Sequence, residues 1–248
     1  MRVQLSFSID DDSRCLWQAM SELDEIHREL TDRKWQIRCG QSRYLGPWIS
    51  SVLYAAYLKG RERGQDPKIR LPSSPPALDA YCGFSGMKHA FQGGPEPNPD
   101  HSDSETVPLM KFDKASWSLS DGIVRLLRRH TQLSDESEDQ IRTCIQEVTQ
   151  NVVDHARSSI GGTISARYMS ASREVRVGIV DRGIGIGSSL RQRFTDITDS
   201  FAALSRVIEG GYSSMSRPNN MGLGVSNLFK LVRNSGGRIA VFSGIAMA

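Results

Sequence analysis

Four polar side chains crowd one edge of an apolar helical stripe in "EVTQNVVDHA", residues 147–156. The apolar positions in and before this segment, Ile141, Cys144, Ile145, Val148 and Val152, follow the i, i+3, i+4, i+7 spacing of one buried helix face. At about 100° per residue, Glu147, Asn151 and Asp154 fall along one side of that stripe, and His155 lies closer to its centre. Glu147 and Asn151 are one turn apart and therefore neighbours on the surface. Next to an apolar wall, such a pair can do joint work. The Asn151 amide oxygen can ligate a hard cation such as Mg2+, and the Glu147 carboxylate can take a proton from an attacking hydroxyl or water. His155 reads equally well as a satisfied core histidine.

Two glycine-rich segments add to this. In "EVRVGIVDRGIGIG", a β-rich run ends in Asp181 and turns into alternating glycines that include Gly183 and Gly185. Glycine lets a backbone approach a ligand closely. An aspartate at a strand end above such a floor can accept a hydrogen bond from an exocyclic amine such as that of adenine; the same glycines would also serve a tight loop with no ligand. In "NNMGLGVSNLFKL", Gly222 and Gly224 directly precede or open an amphipathic helix. Its first N–H groups and the positive end of its dipole suit an anion, although helix-start glycines alone would give the same pattern.

These groups need elements to position them. The acid–amide helix opens at "SDESEDQ", with Asp135 three residues before Glu138 as in a capping box. Strands are expected at 106–113, 161–170, 174–181 and 237–244, the second and third adjacent and antiparallel. Helices are expected at 118–131, around "SFAALSRVIEGG" and at 222–237, with the stretch from Gly183 to about Met221 otherwise irregular. The N-terminal part alternates: strand 2–10, helix 12–33, strand 35–40, helix 46–63 with Pro47 in its first turn, strand 68–72 and a glycine-interrupted helix 75–91. The Pro-, Gly- and acid-rich run 91–108 reads as a linker or long exposed loop. The expected organisation is a small α/β domain over 1–92, a linker or loop over 93–108, and a second domain over 109–248.

The whole chain sets bounds. Its 248 residues suit one or two domains, and 38% apolar with 24% charged residues is ordinary for a soluble globular protein. A net charge of +3, with no basic run interleaved with aromatics, gives no footprint for nucleic acid. Cys15, Cys39, Cys82 and Cys144 lie far apart without a CxxC pair, as expected of reduced thiols. The aspartate-containing N-terminus is not a signal peptide, and "WISSVLYAAYL" is too short and mixed to cross a bilayer. The expected location is the cytoplasm, with no membrane partner.

The order of the motifs resembles the GHKL superfamily of ATP-binding domains, found in gyrase, the large heat-shock chaperone, histidine kinases and MutL. The likeness covers roughly 115–244: "EVTQNVVDHA" resembles the asparagine box, "DRGIGI" the first glycine box and "GLGV" the second. Glu147, Asn151 and His155 at successive intervals of four are most similar to the histidine-kinase-like proteins and the serine kinases that act as anti-sigma factors. The resemblance implies an α/β fold, an α+β two-layer sandwich with a mixed, mostly antiparallel sheet and helices on one face. It implies ATP and Mg2+ as cofactors, Asn151 holding the Mg2+ between the phosphates, and Glu147 as general base. Asp181 would take the adenine amine, with Gly183 and Gly185 shaping that pocket and Asp154 and His155 beside it. Gly222, Leu223, Gly224 and Val225 would border the phosphates, and Ser213, Ser214 and Arg217 would be lid contacts; Ser214 stands where the family usually has Thr. The family also carries a further strand after the one at 237–244, where this chain has "IAMA". The N-terminal element order, with "YLGPWISSVLYAAYLKG" and "SPPALDAYCGFSGMKHAF", is similar to the STAS domain of anti-sigma-factor antagonists. Ser42 is the residue nearest their phosphoacceptor position, without the usual preceding aspartate.

Three functions compete. The first is an ATP-using protein kinase or ATPase switch acting on a protein partner, because a base, a metal amide and a phosphate cradle suffice for phosphoryl transfer. A sensor autokinase would need a phosphoaccepting histidine on a helix pair, and His130 in "LLRRHTQLSDES" has no companion helix. The second is a non-catalytic nucleotide-binding module whose lid exposes or hides a surface for a protein partner; a homodimer is left open in either case. The third, a dinucleotide fingerprint at "GIGIG", has G-x-G-x-G spacing, an aspartate before the glycines and no helix expected at once after them.

Overall fold

The structure is a computed structural model, and it describes residues 2–4, 34–39, 44–93, 105–192, 194–210, 224–244 and 246–247. The protein is mixed α/β, in two compact units. The first takes residues 1–112, 125–131 and 162–181, and the second takes 113–124, 132–161 and 182–248.

In the first unit, β1 (Arg2–Gln4), β2 (Lys34–Arg38) and β3 (Asp66–Arg70) form a parallel sheet in the order β1-β2-β3. Helix α1 (Pro47–Glu62) links β2 to β3, with Pro47 at its start, where the missing N–H costs nothing. The expected glycine-interrupted helix is two helices, α2 (Pro76–Phe84) and α3 (Met87–Gln92). Gly86 separates them in the left-handed region, at φ +81°, which few other residues adopt at low cost. The expected helix 12–33 and the centre of the 91–108 run lie outside the described residues.

The same unit holds an antiparallel sheet of β4 (Thr106–Phe112), β5 (Gly162–Met169) and β6 (Glu174–Asp181), in that order. Helix α1 packs on β5 and β6, and a single apolar core runs from Trp35, Ile49 and Leu53 to Leu109 of β4, with Val180 of β6 against it. Hydroxyls line the contact. Thr163 Oγ1 donates to Ser51 O at 2.8 Å, Ser165 Oγ donates to Pro47 O at 2.9 Å, and Ser51 Oγ donates to Gly178 O at 3.2 Å. Gly178 permits this approach, since a Cβ there would stand 2.6 Å from Trp48 N.

Helix α4 (Trp117–His130) begins after Ser116, whose Oγ accepts from Ser118 N. Helix α5 (Asp135–His155) carries the polar cluster. Its cap is Ser134 rather than Asp135: Ser134 Oγ accepts from Ser137 N at 3.2 Å, which frees Asp135, Glu136 and Glu138 to face the positive end of the helix dipole.

The stretch after Gly183 holds more structure than expected. Helix α6 (Gly185–Arg191) follows the glycines at once, contrary to the sequence reading, and α7 (Ser200–Glu209) comes after it. Asp199 caps α7, its Oδ1 accepting from Ala202 N at 2.8 Å; that N–H, more than any other group, holds its carboxyl below the ordinary range. Helix α8 (Gly224–Asn234) ends at Gly236, φ +71°. The expected strand 237–244 shrinks to β7 (Phe242–Ser243), paired antiparallel with β8 (Ala246–Met247). Residues 238–241 have no ladder partner among the described residues, so their alternating pattern does not become a strand. Cys39, Cys82 and Cys144 are free thiols, and Cys15 is not among the described residues. Burial, and the neighbouring Cys82, push the Cys39 thiol up to about 12. No described helix is long and apolar enough to cross a membrane.

Candidate functional site

Helix α5 buries Cys144, Ile145, Thr149 and Val152, so the stripe is narrower than expected, with Ile141 and Val148 only half-buried. Thr149 stays on the buried face because its Oγ1 donates back to Ile145 O at 2.9 Å, so its own hydroxyl is paired there. Glu147, Asn151, Asp154 and His155 all stand half-buried on the edge. Glu147 is the notable group. Its Oε2 is shielded from solvent and has no hydrogen-bond partner among the described residues, and burial pushes its carboxyl above the ordinary glutamate value. Gln146 Oε1 is a second shielded acceptor without a partner among the described residues, on a residue that the sequence spacing did not single out.

The first glycine segment docks on the end of this helix. Ile184 N donates to Ala156 O at 2.8 Å, one residue beyond His155. A Cβ on Gly183 would overlap the Ala156 carbonyl oxygen and stand 2.5 Å from its carbon, so glycine is required for space. Gly185 is required for conformation, at φ +75°. Ile186 then packs on a small core of Leu190, Ile197, Ala203 and Val207, and Val225, the second residue of α8, packs on the same core. Helix α8 also packs against α5. Glu147, Asn151, Asp154 and His155 on α5, Gly183 in the loop, Gly185 at the start of α6, and Gly224 and Val225 at the start of α8 therefore belong to elements held together within one unit.

Asp181 is the last residue of β6, paired across the ladder with Gly162, and the chain reaches Gly183 two residues later. Ser213, Ser214, Arg217, Gly222, Leu223 and Ser42 lie outside the described residues. His130 does not stand free: its ring stacks on Tyr168, with centroids 3.6 Å apart and planes 9° from parallel. Ser243 carries no motif or spacing signal in the sequence. It is buried, and its Oγ accepts from Ile186 N at 2.7 Å. No group of three or more His, Cys, Asp or Glu able to hold a metal occurs among the described residues.

Residues 136–245 match the family described as "Histidine kinase-, DNA gyrase B-, and HSP90-like ATPase". No curated protein and no solved structure matches the chain. The matched segment, which starts at the second residue of α5 and ends next to β8, belongs to the GHKL superfamily of ATP-binding domains.

Proposed function

We propose, taking that membership of residues 136–245 as the premise, that the protein binds ATP with Mg2+ and works as a protein kinase or ATP-driven switch on a protein partner. The observation that carries this reading is the meeting of the motifs: the glycine loop hydrogen-bonds to the end of α5, and Ile186 and Val225 share one core. The residues fit the group. The unpartnered Oε2 of Glu147 is a shielded acceptor suited to a water or hydroxyl proton. A Mg2+ ion would supply charge neutralisation at the phosphates, and Asn151 would hold it through one amide oxygen, the remaining ligands being phosphate oxygens and water. Asp181 would accept from the adenine amine, with Gly183 and Gly185 leaving room for the ring. Asp154 and His155 would border the same cleft. The N–H groups at Gly224 and Val225, unsatisfied within α8 by helix geometry, would face phosphate, with Gly222 and Leu223 before them. Ser213, Ser214 and Arg217 would close over the nucleotide. A histidine autokinase fits less well, because His130 is engaged with Tyr168.

The test is nucleotide titration by calorimetry, ATP against GTP, with and without Mg2+. Asp181→Asn should lower ATP affinity by about 10- to 100-fold, the worth of one charge-assisted hydrogen bond, and erase the preference for ATP. Unchanged affinity and preference would remove Asp181 from the site. Phosphate release, with and without candidate partners, then separates an enzyme from a non-catalytic module that captures a partner only when nucleotide is bound.

A further inference from the structure

We propose that Ser243 is a positioning residue for the glycine loop, and that the C-terminal hairpin thereby sets nucleotide affinity; this rests on the nucleotide reading above. Ser243 is 8% exposed, and its Oγ accepts from Ile186 N at 2.7 Å. That N–H is among the first of α6 and has no partner within its own helix, so Ser243 satisfies it from 57 residues away. The same hydroxyl sits over Gly185: a Cβ there would be 3.1 Å from Ser243 Oγ and 3.9 Å from Gly244 N. Two residues on, a Cβ on Gly187 would be 3.1 Å from Ser200 Oγ, and a Cβ on Gly244 would be 3.5 Å from that same atom. The start of α6 is thus gripped between the Ser243–Gly244 turn and Ser200, the first residue of α7.

The grip fixes what the site needs. It holds Gly185 at its positive φ and directs Ile186 into the core that Val225 shares. Ser243 lies outside the three motifs that carry the family resemblance, and reaches the site through Ile186, the last residue of "DRGIGI", and through the space over Gly185. Without its oxygen the Ile186 N–H loses its partner in a half-buried setting, and the loop relaxes towards conformations in which the amide reaches water.

The experiment uses the full chain. Ser243→Ala should weaken Mg2+-ATP binding by roughly five- to tenfold, the net worth of one hydrogen bond. The rate of phosphate release at saturating ATP should be unchanged, so that the change falls on KM and not on kcat. Ser243→Thr, which keeps the acceptor, should restore affinity to within about twofold of the parent, given that range for one bond. Hydrogen exchange at the Ile186 amide, measured without nucleotide, should be faster in Ser243→Ala and parental in Ser243→Thr. Parental affinity and parental Ile186 exchange in Ser243→Ala would overturn the proposal, as would an affinity loss that Thr fails to restore. If the parent binds no nucleotide at all, the nucleotide reading falls by itself, and Ile186 exchange still decides the grip. Should Ser243→Ala not fold, Ser243→Cys, with its weaker sulfur acceptor, gives the same comparison.

Discussion

Gly183→Ala tests most directly whether the glycine loop is built onto α5. The backbone at Gly183 is not in the left-handed region, so alanine meets no conformational penalty there, and only space opposes it. The added Cβ would overlap the Ala156 carbonyl oxygen, stand 2.5 Å from the carbonyl carbon and 2.8 Å from the Ala156 Cβ. All three are backbone or backbone-attached atoms at the end of a helix, which cannot swing aside as a long side chain would. Either the loop lifts off, losing the 2.8 Å bond from Ile184 N to Ala156 O, or the last turn of α5 unwinds. Losing the bond costs about 1 kcal/mol, and overpacking against rigid neighbours adds about 1–3 kcal/mol. The expected destabilisation is therefore roughly 2–4 kcal/mol. Urea denaturation followed by fluorescence reads this, with Gly64→Ala as the control. Gly64 has φ +72° and nothing within 4 Å of a built Cβ, so its cost is conformational alone, about 1–2 kcal/mol. Gly183→Ala should also lose nucleotide binding under conditions where it stays folded. A Gly183→Ala protein at least as stable as Gly64→Ala, with parental nucleotide affinity, would refute the docking of this loop on the helix.

Two further substitutions probe separate parts of the molecule. Glu147→Gln should lower phosphate release by at least about 100-fold while leaving ATP affinity near parental, as expected of a lost general base; retained turnover would count against that role. Burial raises the Glu147 carboxyl in the folded state, so its ionisation opposes folding: the folded protein is favoured below the unfolded-state pKa, and that advantage is lost as pH rises through the raised folded value. Glu147→Gln should therefore be more stable than the parent at neutral pH, the difference vanishing in acid, as pH-dependent urea midpoints would show. In the first unit, Gly178→Ala would set a Cβ 2.6 Å from Trp48 N and 2.8 Å from Pro47 C, which should displace α1 at a cost of about 1–3 kcal/mol. Limited proteolysis should then cut within 47–62 at concentrations that spare the parent; equal resistance would mean that the helix tolerates the intrusion.

Much of the fold could be read in the sequence because its signals are local. Helix α5 announces itself by periodicity and by serine and acid at its start; the error of one residue at the cap arises because Ser134 and Asp135 are both good caps and only the hydroxyl geometry chooses between them. Helices α1 and α8 came from Pro47 and from the glycines at either end of 222–237. Helix α6 was missed because its first residues, "GIG", carry the signal of a turn; seven residues with two glycines have little intrinsic preference for helix, and what supports them is the Ser243 oxygen and the core around Leu190. The strand at 237–244 failed for the converse reason. Alternation is a local property, but a strand needs a partner, and only Phe242–Ser243 finds one among the described residues. Within the candidate site, the spacing of Glu147, Asn151, Gly183 and Gly185 is legible in the sequence, and their roles there are proposals. Ser243 is not legible, since its role depends on a contact across 57 residues.

Strand β5 shows how one pattern can carry two meanings. "GTISA" alternates in the manner of a strand with one face to the core and one to water. Yet Thr163 is 0% and Ser165 4% exposed, as buried as their neighbours Ile164 and Ala166. The hydroxyls face α1, where they donate to the carbonyls of Ser51 and Pro47. Backbone carbonyls in the first turns of a helix normally accept only from the N–H four residues on, and a second donor can use their remaining lone pair. Small hydroxyl side chains let the helix approach the sheet closely, and Gly178 on β6 admits the Pro47–Trp48 backbone itself. A leucine at 163 or 165 would bury more apolar area but would hold the helix away and leave Ser50 and Ser51 facing hydrocarbon. The polar half of the pattern is therefore satisfied by protein instead of solvent, and a sequence window of five residues contains nothing that distinguishes the two. The consequence is physical: this contact draws its specificity from directed hydrogen bonds, so replacing Ser51 with valine should disturb the docking of α1 more than the loss of one hydroxyl in water would suggest, because Ser165 Oγ and Gly178 O would each lose a partner in a buried setting.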